Sequence, residues 1–368
     1  MLTLVILAAL FTAAVNGAND NFKGVATLHG SGALGYRPAL LYATLTTGAG
    51  SLAALGLGTA LARRFSGRGL VPDALVGDPL FMAGVSGGAA LAVLAATRLG
   101  IPVSTTHALL GGLVGAGLAA GAAPDPAVLG RAFLGPLLLS PVLAVGLTLV
   151  LHPLLEAARR AAGIRGETCI CVGPGAAVVR GGADGRLALE RAGIAVTVDD
   201  AAACRRHAGR WIAGISARQA VDRLHLASAG AVGFARGLND TPKIAALLLV
   251  AGTPFAGGAA CVAVAAAMAA GGLLGARRVA GTISHRITPM PVGPALAANL
   301  ATSLLVAAAT GLGLPVSTTH VSVGSIFGIG LSGGRARIRT VAEILLAWLV
   351  TLPLAALLAA LLVVLIDR

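Results

Sequence analysis

Apolar residues run along nearly the whole chain in stretches that are too long for the core of a soluble domain. A helix needs about 20 mostly apolar residues to cross a bilayer. Such stretches lie at Pro38–Ala62, Ala127–His152, Ile244–Leu274 and Val341–Ile366. Leu2–Val15 is shorter, but it lacks the basic start of a signal peptide and continues into a polar motif. The pattern therefore predicts several membrane helices, of which Leu2–Val15 is the first.

Two polar motifs interrupt these apolar stretches, and each motif occurs twice. Asn-Asp-x-x-Lys occurs at Asn19–Lys23 and again, in the other half of the chain, at Asn239–Lys243. Pro-Val-Ser-Thr-Thr-His occurs at Pro102–His107 and again, at a similar offset, at Pro315–His320. Two motifs repeated in the same order indicate a duplicated unit. Transporters built from such repeats bind substrate at the repeat interface, near the middle of the membrane.

The duplication divides the chain into a first membrane repeat at residues 1–153, a polar insert at 154–213 and a second membrane repeat at 214–368. Alternating stretches such as Ala176–Arg180 and Ile194–Val198 predict some strand content in the insert. For the membrane repeats, the pattern predicts an all-α polytopic fold. Gly and polar residues inside the apolar runs predict that the helices carrying the two motifs are broken or re-entrant.

The basic charge of the chain lies mostly in short loops and in the insert. The formal net charge is +13, which in a soluble protein would suggest a nucleic-acid partner. Aromatic residues are only 3% of the chain, however, and the charge lies between apolar stretches, as in the cytoplasmic loops of membrane proteins. We therefore expect no nucleic acid, a multi-pass protein of the plasma membrane (in a bacterium, the inner membrane), and a cytoplasmic insert that includes Arg159–Arg210.

Three of the four cysteines lie in the insert. Cys169, Cys171 and Cys204, with His207, could hold zinc, but their spacing is not one of the established zinc patterns. A cytoplasmic insert also gives no reason for disulfides. We favour reduced thiols and predict neither a metal site nor a cofactor. Cys261 lies in an apolar run and is expected to pack there.

The Pro-Val-Ser-Thr-Thr-His motif has the composition of a helix N-terminus, since Pro, Ser and Thr are all favoured there. A helix that restarts at Ser104 or Ser317 would direct unpaired N–H groups and its positive dipole end at a cavity, which suits an anion. The alternative is that the hydroxyls bond back to helix carbonyls. Because the motif occurs twice unchanged, we favour a tetrahedral anion held by six hydroxyls. These belong to Ser104, Thr105, Thr106, Ser317, Thr318 and Thr319.

Two interpretations stay open for His107 and His320, which end the motif. They could contact the anion or relay protons, or they could cap and orient the turn.

The Asn-Asp-x-x-Lys motif places ionised groups at membrane depth. Asp20 and Asp240 lie at the ends of apolar segments, which predicts a broken helix at each of them. A charge at that depth costs about 2.5–3.5 kcal/mol or more and normally marks a transport pathway. Lys23 and Lys243 are the only lysines among 27 basic residues. They therefore indicate a site that needs a compact ammonium, the alternative being a surface ion pair at the membrane interface.

At these residues the chain resembles the inorganic phosphate transporter (PiT) family. The Gly-Ala-Asn-Asp-type motif of that family appears as Gly17–Asp20 and Gly237–Asp240, and its Pro-Val-Ser-Thr-Thr-His-type motif also appears in both repeats. The resemblance implies an inverted-repeat membrane fold and phosphate import coupled to Na⁺ or H⁺. It also implies that the Ser-Thr-Thr hydroxyls bind the anion. The Asn-Asp residues, Asn19 and Asn239 among them, would line the anion and cation sites.

The chain departs from the family where the motif usually ends in Asn, because Lys23 and Lys243 stand there. A fixed ammonium could occupy the volume and charge of a bound Na⁺. We therefore predict a secondary active transporter of inorganic phosphate that works by alternating access, either H⁺-coupled or independent of Na⁺. The lysines join the asparagines and the six hydroxyls in the predicted substrate site. Asp20, Asp240, His107 and His320 are the predicted coupling groups.

Other functions stay open beside this one. A sulfate or other oxyanion permease is the main alternative. Phosphate keeps a proton that it can donate to a carboxylate, so Asp20 and Asp240 favour phosphate over sulfate. This preference is lost if the lysines neutralise both aspartates. The matched duplication argues against an enzyme acting on a phospholipid, which would need one asymmetric set of groups, so we expect the protein not to be an enzyme. An anion channel would have rings of charge and no tight cage. The predicted partners are the oxyanion and the lipid bilayer, with a homodimer left open.

Overall fold

The computed structural model describes residues 1–165, 168–174, 178–181, 187–190, 194–200, 213–250 and 258–368. The chain forms two compact units, one made of residues 1–152 and 226–368 and the other of residues 153–225. Helices build the first unit, and the named strands lie in the second.

The named elements of the first repeat are all helical. Its helices are α1 (Leu2–Asp20), α2 (Ala26–Gly30), α3 (Tyr36–Leu57), α4 (Thr59–Phe65), α5 (Pro79–Leu99), α6 (Thr105–Ala119), α7 (Pro126–Val128) and α8 (Gly135–Ala161). A 3-10 turn at Asn21–Val25 joins α1 to α2, and a π-helical stretch at Leu129–Leu134 joins α7 to α8.

The second repeat has six named helices in its described part. They are α9 (Ala217–Val250), α10 (Gly258–Gly275), α11 (Arg277–His285), α12 (Val292–Gly311), α13 (Thr318–Ser332) and α14 (Ile338–Asp367).

Seven helical segments of the described chain are long and apolar enough to cross a membrane. They are Leu2–Gly30, Tyr36–Leu57, Pro79–Leu99, Pro126–Ala161, Gly258–Gly275, Val292–Gly311 and Ile338–Asp367. The expectation that the chain has a helix at Leu2–Val15 is confirmed. The apolar run Ile244–Leu274 is long enough for more than one span, and it holds the end of α9 and most of α10. Residues 251–257 lie outside the described part of the chain.

Helices α6 and α13, which follow the Pro-Val-Ser-Thr-Thr-His motifs, have 15 residues each. At 1.5 Å per residue such a helix is about 22 Å long, shorter than the roughly 30 Å hydrocarbon core. The predicted re-entrant path of these helices stays a prediction.

The repeats interlock through matched glycines. A Cβ on Gly111 of α6 would lie under 3.0 Å from the Leu352 carbonyl oxygen of α14. Gly324, at the equivalent position of α13, meets the Pro141 carbonyl oxygen of α8 in the same way. Each 15-residue helix therefore packs on the long helix of the other repeat. Matched contacts at matched positions are what a duplicated unit produces, and the inverted orientation of the repeats stays a prediction.

The second unit contains two antiparallel sheets in its described part. A three-stranded sheet has the order β4-β1-β5, and a second sheet pairs β2 with β3. The strands are β1 (Thr168–Pro174), β2 (Val178–Gly181), β3 (Leu187–Glu190), β4 (Ile194–Asp200) and β5 (Ala213–Ser216). The strand predicted at Ile194–Val198 is confirmed. The strand predicted at Ala176–Arg180 is confirmed from Val178 onward, and its first two residues lie outside the described part of the chain.

The cysteines of the insert were the candidates for zinc. Cys169 is buried on β1. Cys204 and His207 lie outside the described residues. Within the described ranges, no group of three or more His, Cys, Asp or Glu side chains could hold a metal ion. Cys261 is buried in α10, as its apolar surroundings predict.

Candidate functional site

Both Pro-Val-Ser-Thr-Thr-His motifs start a helix at their serine. The Ser104 hydroxyl accepts a hydrogen bond from the His107 backbone N–H at 3.1 Å, and the Ser317 hydroxyl accepts one from His320 at 3.3 Å. Each serine is an N-cap with extended backbone. The predicted helix restart is confirmed. The serine oxygens therefore have a structural task in addition to any contact with an ion.

The Asn-Asp motif breaks the helix in the first repeat. Helix α1 ends at Asp20, and the chain continues as the 3-10 turn Asn21–Val25 before α2 begins. The break predicted at Asp20 is therefore confirmed.

The break predicted at Asp240 is wrong. Asp240 lies inside the 34-residue helix α9, which continues past Pro242. On this helix the Arg236 Nε is 3.6 Å from Asp240 Oδ2, and the Lys243 Nζ is 3.5 Å from Asp240 Oδ1. Charged residues three and four positions apart stabilise a continuous helix. The equivalent of Arg236 in the first repeat is Asn16, which offers no such charge.

The first buried lysine contacts both repeats. The Lys23 ammonium donates hydrogen bonds to Asp20 Oδ1 and Thr319 Oγ1, and to the Val103 carbonyl oxygen at 3.2 Å. The Asn19 Oδ1 lies 3.4 Å away. A carboxylate, a hydroxyl, a carbonyl and an amide oxygen thus surround the ammonium.

The second buried lysine repeats this arrangement with the repeats exchanged. The Lys243 ammonium donates to the Val316 carbonyl oxygen at 2.7 Å, to Thr106 Oγ1 at 3.0 Å and to Asp240 Oδ1 at 3.5 Å. Each lysine therefore contacts the aspartate and the valine carbonyl of its own repeat and the second threonine of the other repeat. These contacts place both motifs of both repeats in one cluster.

The first threonines of the motifs are linked to the aspartates, one directly and the other through Asn16. Thr318 Oγ1 donates to Asp240 Oδ2 at 3.2 Å. Thr105 Oγ1 accepts from Asn16 Nδ2 at 3.0 Å, and that amide also lies 3.3 Å from Asp20 Oδ2. A narrow gap borders this cluster. It is lined by Asn16, Thr105, Thr106, Leu109, Asp240, Lys243 and Ile244.

The asparagines of the motifs are held by a pair of threonines that were not predicted from the sequence. Asn19 Nδ2 donates to Thr97 Oγ1 at 2.9 Å, and Thr310 Oγ1 donates to Asn239 Oδ1 at 3.2 Å. Thr97 and Thr310 occupy equivalent positions in the two repeats, and each follows two alanines. Extending the comparison of the repeats a few residues upstream would have found them.

The two motif histidines contact each other. Their ring centroids are 4.6 Å apart, and the His320 ring also stacks on Trp348 at 3.8 Å. The His320 Nδ1 is 3.2 Å from the Leu137 carbonyl oxygen. Among the described residues, His107 Nδ1 and His320 Nε2 are buried without a hydrogen-bond partner. The rings thus join the two repeats, and their role in coupling stays a prediction.

Arg236 is a third buried cation, and it too was not predicted from the sequence. Its Nη2 donates to Asn16 Oδ1 at 2.7 Å, and its Nη1 donates to Asn21 Oδ1 at 3.2 Å and to Thr47 Oγ1 at 3.3 Å. These bonds tie α9 to three elements of the first repeat. Aligning the two repeats could have revealed Arg236, because it is a charged residue at the position where the first repeat has Asn16.

If the two repeats form one site, Thr106→Val and Thr319→Val should each weaken phosphate uptake by about tenfold or more. Each valine keeps the shape of the side chain but leaves one buried lysine without a hydroxyl acceptor, at a cost of about 1–3 kcal/mol. The measurement is the concentration dependence of uptake by purified protein in proteoliposomes. As the matched control, Thr46→Val removes a hydroxyl whose hydrogen bonds, in the described part of the chain, go to carbonyls of its own helix. A loss confined to one of the two variants would contradict a shared site.

Known proteins similar to this chain include several described as phosphate transporters or permeases. The chain is 28% identical to the chloroplastic inorganic phosphate transporter 2-1 of Arabidopsis thaliana, over 93% of this chain and 68% of that protein. It is also 28% identical to a probable low-affinity inorganic phosphate transporter of Mycobacterium bovis, over 98% of this chain and 76% of that one. A putative phosphate permease of Pyrococcus horikoshii is 27% identical, over 93% of this chain and 92% of its own length.

A solved structure described as the sodium-dependent phosphate transporter shares the fold. It superposes with a TM-score of 0.76 at 19% identity and covers 100% of this chain and 98% of its own. Seven apolar segments and transporter relatives identify a multi-pass membrane protein. The model of the phosphate transporter family matches residues 16–359, so the resemblance inferred from the two motifs is confirmed and the chain belongs to that family.

Proposed function

We propose that this protein is a secondary active transporter that carries inorganic phosphate across the plasma membrane by alternating access. The observation that carries the proposal is the exchange of partners between the repeats, in which Lys23 contacts Thr319 and Lys243 contacts Thr106. Transporters built from repeats hold their substrate at such an interface. Rocking of one repeat against the other would separate these contacts and open the site to one side.

The groups around the lysines suit a tetrahedral oxyanion. Helices α6 and α13 begin at the cluster, so their free N–H groups and positive dipole ends lie close to it. The threonine hydroxyls can donate to phosphate oxygens when they release the carbonyls and carboxylate that they now contact. The lysines would follow, exchanging part of their contact with Asp20 and Asp240 for contact with the anion.

Sulfate is the second candidate, and one observation favours it. A carboxylate could recognise phosphate by accepting its proton, which sulfate lacks. Both carboxylates are already engaged, however, Asp20 by Lys23 and Asp240 by Lys243 and Arg236. While these ion pairs hold, the site has no uncommitted carboxylate with which to select the protonated anion.

Uptake into proteoliposomes tests the function directly. Purified protein is given labelled phosphate or sulfate in Na⁺-free buffer, with the membrane potential fixed by K⁺ and valinomycin. We expect saturable phosphate uptake that unlabelled phosphate suppresses more strongly than sulfate does. Liposomes without protein and the Thr46→Val variant are the controls. Saturable uptake of sulfate but not of phosphate would establish the second candidate, and uptake of neither would refute both.

The insert should be cytoplasmic, because its basic residues follow the distribution found in cytoplasmic loops. A cysteine at Ala188, in a background without the native cysteines, should react in intact cells only with a membrane-permeant thiol reagent. In opened cells the same cysteine should react with permeant and impermeant reagents alike, which shows that the thiol is accessible. Reaction with the impermeant reagent in intact cells would mean the opposite orientation.

A further inference from the structure

The buried charges of the site do not balance. Five buried side chains of the described chain carry a formal charge, leaving histidine aside: Asp20, Lys23, Arg236, Asp240 and Lys243. Each lysine is paired with the aspartate three residues before it. The two lysine–aspartate pairs are therefore neutral as pairs, and Arg236 is left as a net charge of +1.

Arg236 has no carboxylate of its own. Its Nη atoms bond to the neutral oxygens of Asn16, Asn21 and Thr47. Its Nε is 3.6 Å from Asp240, which Lys243 shares, and this buried N–H has no hydrogen-bond partner in the described part of the chain. An uncompensated buried charge is strongly unfavourable unless a counter-charge can reach it.

This charge also breaks the symmetry of the duplication. The repeats agree in the Asn, the Asp and the Lys of the first motif, yet Arg236 stands where the first repeat has Asn16. The two positions are in direct contact, with Arg236 Nη2 donating to Asn16 Oδ1 at 2.7 Å. A second arginine there would repel the first, so the pair of positions accommodates one cation, held by one amide.

We propose that Arg236 supplies the unbalanced positive charge that lets the site hold an oxyanion without a co-bound metal cation. The inference rests on the proposed function and adds to it a residue that sets the charge of the site. Arg236 acts through Asn16 and Asp240, which it contacts and which both line the gap beside the threonines. It is a positioning residue: its charge attracts the anion, and its planar guanidinium orients the Asn16 amide and the Asp240 carboxylate.

A purely structural role makes different predictions. If Arg236 only tied α9 to the first repeat, its loss would lower stability, and a change of charge elsewhere would not restore binding. If its charge is what matters, neutralising one carboxylate should compensate for its loss. Arg236→Gln leaves the buried cluster with no net charge, and Arg236→Gln combined with Asp240→Asn returns it to +1.

Equilibrium binding of labelled phosphate and sulfate to purified, monodisperse protein in metal-cation-free choline buffer tests the inference. We expect Arg236→Gln to weaken binding by about tenfold or more, and the double variant to recover most of that loss. Arg236→Lys keeps the charge and should bind more tightly than Arg236→Gln. Arg339→Gln, the same change at an exposed arginine, should bind like the unmodified protein.

The outcomes separate the inference from the function on which it rests. Unchanged binding by Arg236→Gln overturns the inference, and so does a monodisperse double variant that binds no better than Arg236→Gln. If Arg236→Gln aggregates, the double variant alone tests the inference, because it also lacks the guanidinium but keeps the net charge of +1. Phosphate or sulfate binding by the double variant then supports the inference, and loss of that binding refutes it. If the unmodified protein binds neither anion, the proposed function fails and the inference fails with it.

Discussion

Replacing both buried lysines with asparagine, as Lys23→Asn and Lys243→Asn together, should make phosphate uptake require Na⁺, whereas we expect uptake by the unmodified protein not to require it. The change restores the residue that this family usually has at the end of its Asn-Asp motif. It removes two positive charges from a buried cluster whose net charge is +1, so the anion site becomes net negative unless cations enter.

The surroundings of the lysines are those of a small cation. Lys23 Nζ is within 3.4 Å of oxygens from a carboxylate, an amide, a backbone carbonyl and a hydroxyl, and Lys243 Nζ is within 3.5 Å of three such oxygens. Oxygen ligands of these kinds are the ones that hard cations take in proteins. In the double variant the shorter amide would free the same oxygens for Na⁺.

The attraction within each lysine–aspartate pair is comparable to the cost of burying the carboxylate, which is why we expect the unmodified protein not to require Na⁺. A lysine and an aspartate about 4 Å apart attract each other by about 4 kcal/mol at an effective dielectric of about 20. Placing a carboxylate at membrane depth costs about 2.5–3.5 kcal/mol on insertion scales. The tethered ammonium can therefore offset that cost without a soluble ion, at any Na⁺ concentration.

The measurement compares phosphate uptake in Na⁺ and in K⁺ at fixed pH and membrane potential. The unmodified protein should differ by less than about twofold between the two salts, and the double variant by about tenfold or more. A variant with arginine at both positions keeps the charge, so it should gain no response to Na⁺ even if its uptake is low. Saturable stimulation of the unmodified protein by about tenfold in Na⁺ would show that the lysines do not replace coupling ions.

Local sequence was enough to predict the parts of the site that form locally. Ser104 and Ser317 follow Pro-Val and precede an apolar run, and N-capping depends on only a few consecutive residues. For the same reason the strands at Val178–Gly181 and Ile194–Asp200 could be expected from their alternation. The pairing of each lysine with its own aspartate also follows from their spacing of three.

Features that depend on contact between the repeats could not be predicted in the same way. The exchange of threonine partners between Lys23 and Lys243 joins residues that are far apart in the sequence, as does the contact of Arg236 with Asn16. The continuity of α9 at Asp240 was missed for a related reason. The identical Asn-Asp motif suggested a helix break in both repeats. The residue four positions before the aspartate differs, however: it is Asn16 in the first repeat and Arg236 in the second. Only the arginine adds a charge to the helix face that carries the aspartate.

The close packing of the repeats leads to a second large effect, at a position outside the cluster. Gly50→Ala should destabilise the protein and reduce uptake, whereas Gly48→Ala, two residues earlier on α3, should do neither. A Cβ on Gly50 would lie under 3.0 Å from the Phe234 carbonyl oxygen of α9, and backbone cannot yield without moving the helix. Around Gly48 there is nothing within 4 Å of the added atom.

Overpacking at Gly50 should lower the free energy of unfolding by about 1–3 kcal/mol. Alanine in place of glycine on an open helix face, as at Gly48, should instead raise it by about 1 kcal/mol. One kcal/mol changes the melting temperature by about 2–4 °C in a chain of roughly 150–250 residues, and by less in a longer chain. Gly50→Ala should therefore lower, by a few degrees, the temperature at which the protein stops being monodisperse. Gly48→Ala should leave it unchanged or raise it. The displaced carbonyl is two residues from Arg236, so surviving Gly50→Ala protein should also bind phosphate more weakly. Equal stability and equal binding of the two variants would mean that α3 and α9 do not pack as closely as described.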